Sequence, residues 1–356
     1  MAQSRQVREG SDLALRDGLP AEPLSGRAVL TFFAGAWAWL FLLVLLIFFE
    51  GWARLIDRTS FLLNVMNLRS IAVFTAEPFL LAAGQTFVII AAGIDLSVGF
   101  TMGLAAVVLA QVVRFADPLL GPGLAVVVGV VLTLVAAAIP GLINGLLIAR
   151  LRVPPFIGTL GMYGVAEGAG YLAAGGTTVP VSNPILSWIG NQALLGVPVL
   201  VWITILVLVF LHYLLKQSRY GQYTYAIGGN RQAAVRAGIN VRRHTEILYV
   251  LSALSAAVAG MLYTARFSAG AAQAGDPLLL VSIAAVVIGG ASLFGGSGTI
   301  VGTLIGALII AVIQYGLVFI NVAPFWQFIA VGVVIIVSVL VDQSRLVLTT
   351  GVRADE

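Results

Sequence analysis

No cysteine occurs in this 356-residue sequence, so disulfides and thiolate metal sites play no part in it. Histidine is nearly as scarce, at His212 and His244 alone, too few for the usual imidazole-rich transition-metal centre. The only lysine is Lys216, in "YLLKQS", with no glycine ahead of it. A Walker-type phosphate loop needs a lysine to reach the phosphates, so this chain carries no nucleotide site of that kind. G-x-S-x-G, H-E-x-x-H and dinucleotide fingerprints are absent as well. No carboxylates are paired for acid–base work, and no enzymatic activity or cofactor of its own is expected.

Charge is also scarce. Charged residues make up 10% of the chain and hydrophobic ones 60%, against about 25% and 45–50% in soluble domains. The apolar residues come in runs of about 17 to 27, long enough to cross a hydrocarbon core as helix. The fold class expected is an all-α polytopic integral membrane protein with about ten spans. These lie near 30–49, 70–92, 97–113, 123–149, 156–173, 198–215, 246–264, 280–294, 300–320 and 325–341. The runs near 97–113 and 280–294 are short and glycine-rich, which marks either as a partial or re-entrant helix. Residues 1–29 form a polar tail of mixed charge, expected to be disordered, 30–342 the membrane domain and 343–356 a second tail. The first apolar run is expected to be a retained helix, because the stretch before it is too long and acidic for a signal peptide.

Loop charge sets the orientation. Residues 216–245 hold Lys216, Arg219, Arg231, Arg236, Arg242 and Arg243 and no acidic residue before Glu246, whereas 174–197 holds no charge at all. Ten spans would put 216–245, the Arg150/Arg152 loop and both termini on the cytoplasmic side. Arg54, Arg58 and Arg69 run against that assignment, partly balanced by Glu50 and Asp57.

Three acidic residues fall within spans: Glu77, Asp95 and Glu167. Each is expensive there, about 2.5–3.5 kcal/mol at mid-bilayer on insertion scales. Three suffice for a proton relay, so an ion-coupled secondary transporter of a small polar solute stands as the alternative reading. Glu77 precedes Pro78 and points to a structural kink. Glu167 reads either as a snorkelling group or as a path residue. In "AAGIDLSVG", Gly93 can end one helix while Asp95 or Ser97 caps the next, and Gly99 follows. Pure architecture explains that stretch, yet a polar break is also where a hydrophilic solute passes. Asn144 reads as interhelical glue or a path residue. Gly298, Gly302 and Gly306 recur every four residues as a face for close helix packing. "VIIAAGIDLSVG" and "VVIGGASLFGGSG" pair as a weak internal repeat.

The most specific local signal is "AIGGNRQAAVRAGINVRRH". Asn230 suits a helix N-cap, "RQAAVRA" a short helix and Gly238 a left-handed end. A capped basic helix between long spans protrudes, ready to dock on a soluble partner; a plain positive-inside anchor is the alternative.

Four stretches, at 84–99, 141–161, 225–239 and 283–309, resemble the permease of bacterial sugar ABC importers of the ribose/xylose/arabinose type. The likeness covers roughly residues 60–342. It implies a permease dimer of like or paired chains in the lipid bilayer, a cytoplasmic ABC ATPase binding ATP and magnesium, and a periplasmic sugar-binding protein, with no nucleic acid involved. It makes 216–245 the coupling loop, with Gly228, Gly229, Asn230, Gln232, Ala233, Ala234, Arg236, Gly238 and Ile239 at the ATPase. A path past Asp95, Ser97, Gly93, Gly99, Glu167 and Asn144 would carry the sugar by alternating access. Gln232, Glu167, Leu279 and Val281 depart from the family pattern, which leaves the particular sugar open.

Overall fold

The structure, a computed structural model, describes residues 26–323 and 325–350, with side chains over 37–323, 325–337 and 340. Most of the two expected tails lies outside these residues. By packing, Met1–Trp37 is one unit and Ala38–Glu356 another. The first supplies the opening turns of helix α1 (Gly26–Leu55), and the second holds every other element.

Among the described residues the regular structure is helical apart from two short strand pairs. Helices α2 (Val65–Ile90), α3 (Val98–Leu120), α4 (Pro122–Ala149) and α5 (Pro155–Ala174) follow α1. Strand β1 (Val179–Pro180), the short helix α6 (Pro184–Asn191) and the hairpin β2 (Ala193–Leu194)–β3 (Val197–Pro198) lead into α7 (Val199–Gln217). Two short helices, α8 (Arg219–Gly229) and α9 (Arg231–Arg236), precede α10 (Val241–Phe267). Strand β4 (Ala269–Gly270), antiparallel to β1, opens onto α11 (Asp276–Ile288), α12 (Ile300–Phe319) and α13 (Phe325–Thr350).

Each of the ten expected spans overlaps a helix, the one near 280–294 only as far as Ile288. Among the described residues, seven helices are long and apolar enough to cross a bilayer, so the count of about ten is loose. α5 is diluted by glycines and Glu167, and α11 has only 13 residues, about 20 Å of helix. The expectation that 97–113 is a partial helix is corrected. The helix continues through Arg114 and Asp117 to Leu120, where Gly121 (φ +77°) ends it. The run expected at 280–294 is indeed short, and it stops at Ile288.

Two helices form the centre. α2 is enclosed, with 89% of its apolar window buried, whereas the corresponding figure for α4 and α7 is 28% each. α4 and α7 leave Val131, Val135, Leu206 and Phe210 exposed, the pattern of a lipid-facing surface around a protein-lined core. α10 packs on α2, α3 and α4. Small residues make this close approach possible: a Cβ on Gly141 would stand 2.6 Å from the Tyr249 carbonyl, and one on Gly260 would overlap that of Met102. Glu77, buried on α2, pairs with Arg266 at 3.4 Å. Pro78 sits inside α2 without ending it. In the Arg54–Arg69 stretch, Glu50 accepts Arg54 Nε at 2.7 Å and the Phe61 and Leu62 amides at 2.8 Å.

Candidate functional site

Three irregular segments meet at one end of α2. The first is the break at residues 91–97. α2 closes with the Ala92 amide donating to the Ile89 carbonyl and the Gly93 amide to that of Val88, both at 2.9 Å. The left-handed residue of this Schellman ending is Ala92 (φ +61°), not Gly93 as the sequence leads one to expect. Gly93 is small for another reason: a Cβ there would stand 2.9 Å from Tyr249 Oη and 3.0 Å from Val88 Cγ1.

Beyond it, Asp95 is 1% exposed. Its Oδ1 accepts the Ser97 amide at 3.0 Å and the Ser97 hydroxyl at 2.6 Å, while Oδ2 accepts Ser252 Oγ at 2.9 Å. Ser97 stands at the N-cap of α3 without capping through its own side chain, so Asp95 satisfies that turn's amide instead. Asn144 Nδ2 donates to Ser97 Oγ at 2.9 Å, which ties α4 to the break. Gln85 Nε2 donates to the Asp95 carbonyl. Tyr249 Oη and Thr159 Oγ1 reach the Ile94 carbonyl at 3.3 and 3.4 Å. A broken helix within a membrane protein must satisfy its freed backbone groups from protein, and here α2, α5 and α10 supply partners for them while α4 holds the Ser97 hydroxyl. Gly99 lies against the segment before α11, its Cβ position 2.7 Å from the Gly275 carbonyl.

Gly93, Asp95, Ser97 and Asn144 therefore gather in one knot, with Gly99 beside it. Glu167 does not join them. It is half-buried on α5, one turn beyond Tyr163, whose hydroxyl donates to Asp276 Oδ1 at 3.3 Å. The three membrane carboxylates are thus separate: Glu77 on Arg266, Asp95 on serines, Glu167 near Tyr163. Gln85 and Ser252 escaped the sequence reading. A serine pair at i and i+3 in "LSALSAA" (Ser252, Ser255) was the available signal, since hydroxyls on one face of a span seek a polar partner.

The second segment is residues 289–299. α11 ends with the Gly290 amide on the Val287 carbonyl at 2.9 Å and the Ala291 amide on that of Val286 at 3.1 Å. Position for position this repeats the end of α2, with Gly290 (φ +86°) in the place of Ala92. The weak sequence repeat corresponds to the same backbone ending. Gly302 and Gly306 do form a packing face, where added Cβ atoms would overlap the carbonyls of Gly289 and Ala285. Gly298 does not share it: this residue lies in the loop before α12, with φ +149°.

The third segment is the 216–245 loop. Asn230 Oδ1 accepts the Ala233 amide at 2.9 Å, capping α9, and Gly238 takes φ +81° after it. The two alanines differ. Ala234 is buried against Ile227 and Val241, with Ile239 and Ala91 packed on that cluster. Gln232, Ala233 and Arg236 are exposed on the outer side. Gly228 is half-buried, whereas Gly229 has nothing within 4 Å of its Cβ position. Tyr225 Oη donates to the Gly298 carbonyl at 2.7 Å, and burial raises its phenol above the ordinary range, so it remains a donor. Beside α9 runs an open groove of about 830 Å³, lined by Arg152, Arg231, Arg236 and Arg242 over a floor that includes Val153 and Pro154, with no carboxylate in its wall. Among the described residues, no group of three or more His, Cys, Asp or Glu side chains is placed to hold a metal ion.

Comparison with known proteins matches residues 67–339 to the family described as "Branched-chain amino acid transport system / permease component". The chain is 38% identical over 273 residues to the fructose import permease protein FrcC of Rhizobium meliloti, covering 74% of both chains. It is 38% identical over 286 residues to the ribose import permease protein RbsC of Escherichia coli K12, covering 79% of this chain and 87% of that one. With the galactose/methyl galactoside import permease protein MglC of the same strain it shares 35% over 345 residues, covering 90% and 98%. No solved structure matches.

Proposed function

The chain belongs to the branched-chain amino acid transport system permease family, and from that premise we propose that it is the membrane-spanning subunit of an ATP-driven sugar importer. Its relatives are named as import permeases for fructose, ribose and galactose, so the solute class is a sugar or related polyol. The subunit itself is non-catalytic. ATP and magnesium belong to a separate cytoplasmic ABC ATPase, sugar arrives on a periplasmic binding protein, and a second permease chain, identical or paired, completes the path.

The observation that carries this reading is the capped helix α9, exposed along Gln232, Ala233 and Arg236 while its Ala234 is seated beside Ala91 at the end of broken helix α2. The ATPase engages that outer side, with the basic groove next to it. Loops 150–154 and 216–245 then face the cytoplasm of a bacterial inner membrane, and both termini lie on the same side. Closure of the ATPase pair on ATP moves α9, and the movement switches access to a weakly polar path near the break at 91–97. Asp95, Ser97 and Asn144 shape that break, Gly93 and Gly99 let neighbouring chain approach it, and Glu167 offers a polar group on α5.

The test is affinity purification from the native membrane in mild detergent, parent beside Ala233→Glu, with mass spectrometry of what accompanies each. A Walker-motif ATPase retained by the parent and lost from the variant is the expected result. An ATPase absent from both, under conditions that hold a known permease complex together, would sink the reading. Ala234→Glu is a poorer choice, because a buried carboxylate there would unseat α9 itself.

A further inference from the structure

Gly228 and Gly229 are neighbours in sequence with opposite surroundings. A Cβ on Gly228 would overlap the Ile90 carbonyl and stand 2.6 Å from the Gly296 nitrogen. On Gly229 it would meet nothing within 4 Å. At the same point the Gly296 amide donates to the Ile90 carbonyl at 2.8 Å. Three residues before Gly228, Tyr225 holds the Gly298 carbonyl at 2.7 Å. The end of α2, the loop after α11 and the end of α8 are thus one contact, made mostly of backbone.

We propose that Gly228 and Tyr225 are positioning residues for transport: they carry a displacement of the docking helix into both broken helices at once. This rests on the importer reading above, but it takes Gly228 out of the ATPase-contacting set and gives it the inward role. The physical argument is one of stiffness. Backbone atoms at van der Waals distance have no rotamers through which to absorb a push, so a shift of α8 must move Ile90 and Gly296 or break the contact. α11 is short and ends in glycines, which lets it follow. From Ile90 the push reaches Asp95 within five residues, and Asp95 is bonded onward to Ser252 on α10 and, through Ser97, to Asn144 on α4. Docking and transmission therefore fall on opposite sides of the same loop: Ala233 outward, Gly228 inward.

The experiment uses the whole importer, permease with its ATPase and binding protein, in proteoliposomes. Uptake of whichever of ribose, fructose or galactose the parent imports is measured beside ATP hydrolysis in the same vesicles. Gly228→Ala is expected to keep the ATPase bound and hydrolysing within about twofold of the parent, while sugar moved per ATP falls about tenfold, within the usual range for a coupling interaction. Gly161→Ala on α5, where an added Cβ meets nothing within 4 Å, should match the parent in both, and Tyr225→Phe should lower sugar per ATP about two- to fivefold. Parental sugar per ATP in Gly228→Ala, or an equal loss in Gly161→Ala, overturns the proposal. If Gly228→Ala does not reach the membrane, Tyr225→Phe decides: an unchanged ratio overturns it. A parent that imports no sugar with ATP overturns the importer reading first, and is told apart by failing before any variant is compared.

Discussion

The breaks at 91–97 and 289–299 share a backbone ending and differ in what holds the chain beyond it. In the first, one buried carboxylate collects bonds from Ser97 and Ser252, and Asn144 and Gln85 add theirs. In the second, the loop is held by main-chain bonds such as the Ser292 amide to the Ser297 carbonyl, with Gly290, Gly295, Gly296 and Gly298 all at positive φ. The first is a joint welded by side chains from several helices. The second is a joint whose shape depends on residues without side chains. A membrane protein can interrupt a helix either way, provided each freed amide and carbonyl finds a partner. The two ways predict different responses to mutation: loss of polar partners should hurt the first, and added side chains the second.

The largest effect is expected from Asp95→Ala, which strips the acceptor from the Ser97 amide and two hydroxyls. At about 1 kcal/mol or more for each buried group left unpaired, the loss is roughly 3 kcal/mol. Thermal unfolding of the purified chain in mild detergent measures it, and a melting temperature within a degree of the parent would remove the welded-joint description. Next comes an exchange between the corresponding left-handed positions. Gly290→Ala should destabilise by about 1–2 kcal/mol, the cost of an L-residue in that conformation. Ala92→Gly releases the same strain against the extra freedom of an unfolded glycine, so it should fall within about 1 kcal/mol of neutral. Equal losses from the two would mean the endings are not energetically alike, whatever their bonds. The smallest change is Ser292→Ala. Its hydroxyl accepts the Phe294 amide at 3.2 Å in an exposed turn, and its removal should shift stability by less than about 0.5 kcal/mol. A loss matching that of Asp95→Ala would show that the second break also depends on side-chain polarity.

Much of this was legible beforehand, where the cause was local. The spans followed from runs of apolar residues, since hydrocarbon imposes its length on any helix that crosses it. The cap at Asn230 and the turn at Gly238 followed from chemistry contained within a few residues. Even the pairing of the two breaks showed, because the same backbone ending favours similar small residues. Harder to read were the glycines. Gly93 and Gly228 look like turn residues in a string of letters, yet their smallness answers to Tyr249 and Ile90, far away in sequence.

The amino-acid sequence by itself determined the solvent of this protein, its helices, their breaks and the capped loop between α7 and α10, because each depends on neighbours within a turn or two. Only the tertiary structure decided that Asp95 is bonded to a serine 157 residues away, that Ala234 faces inward while Ala233 faces out, and that both breaks meet the loop at Gly228. Those choices rest on which surfaces come into contact, and contact between distant segments is set by packing all the helices at once.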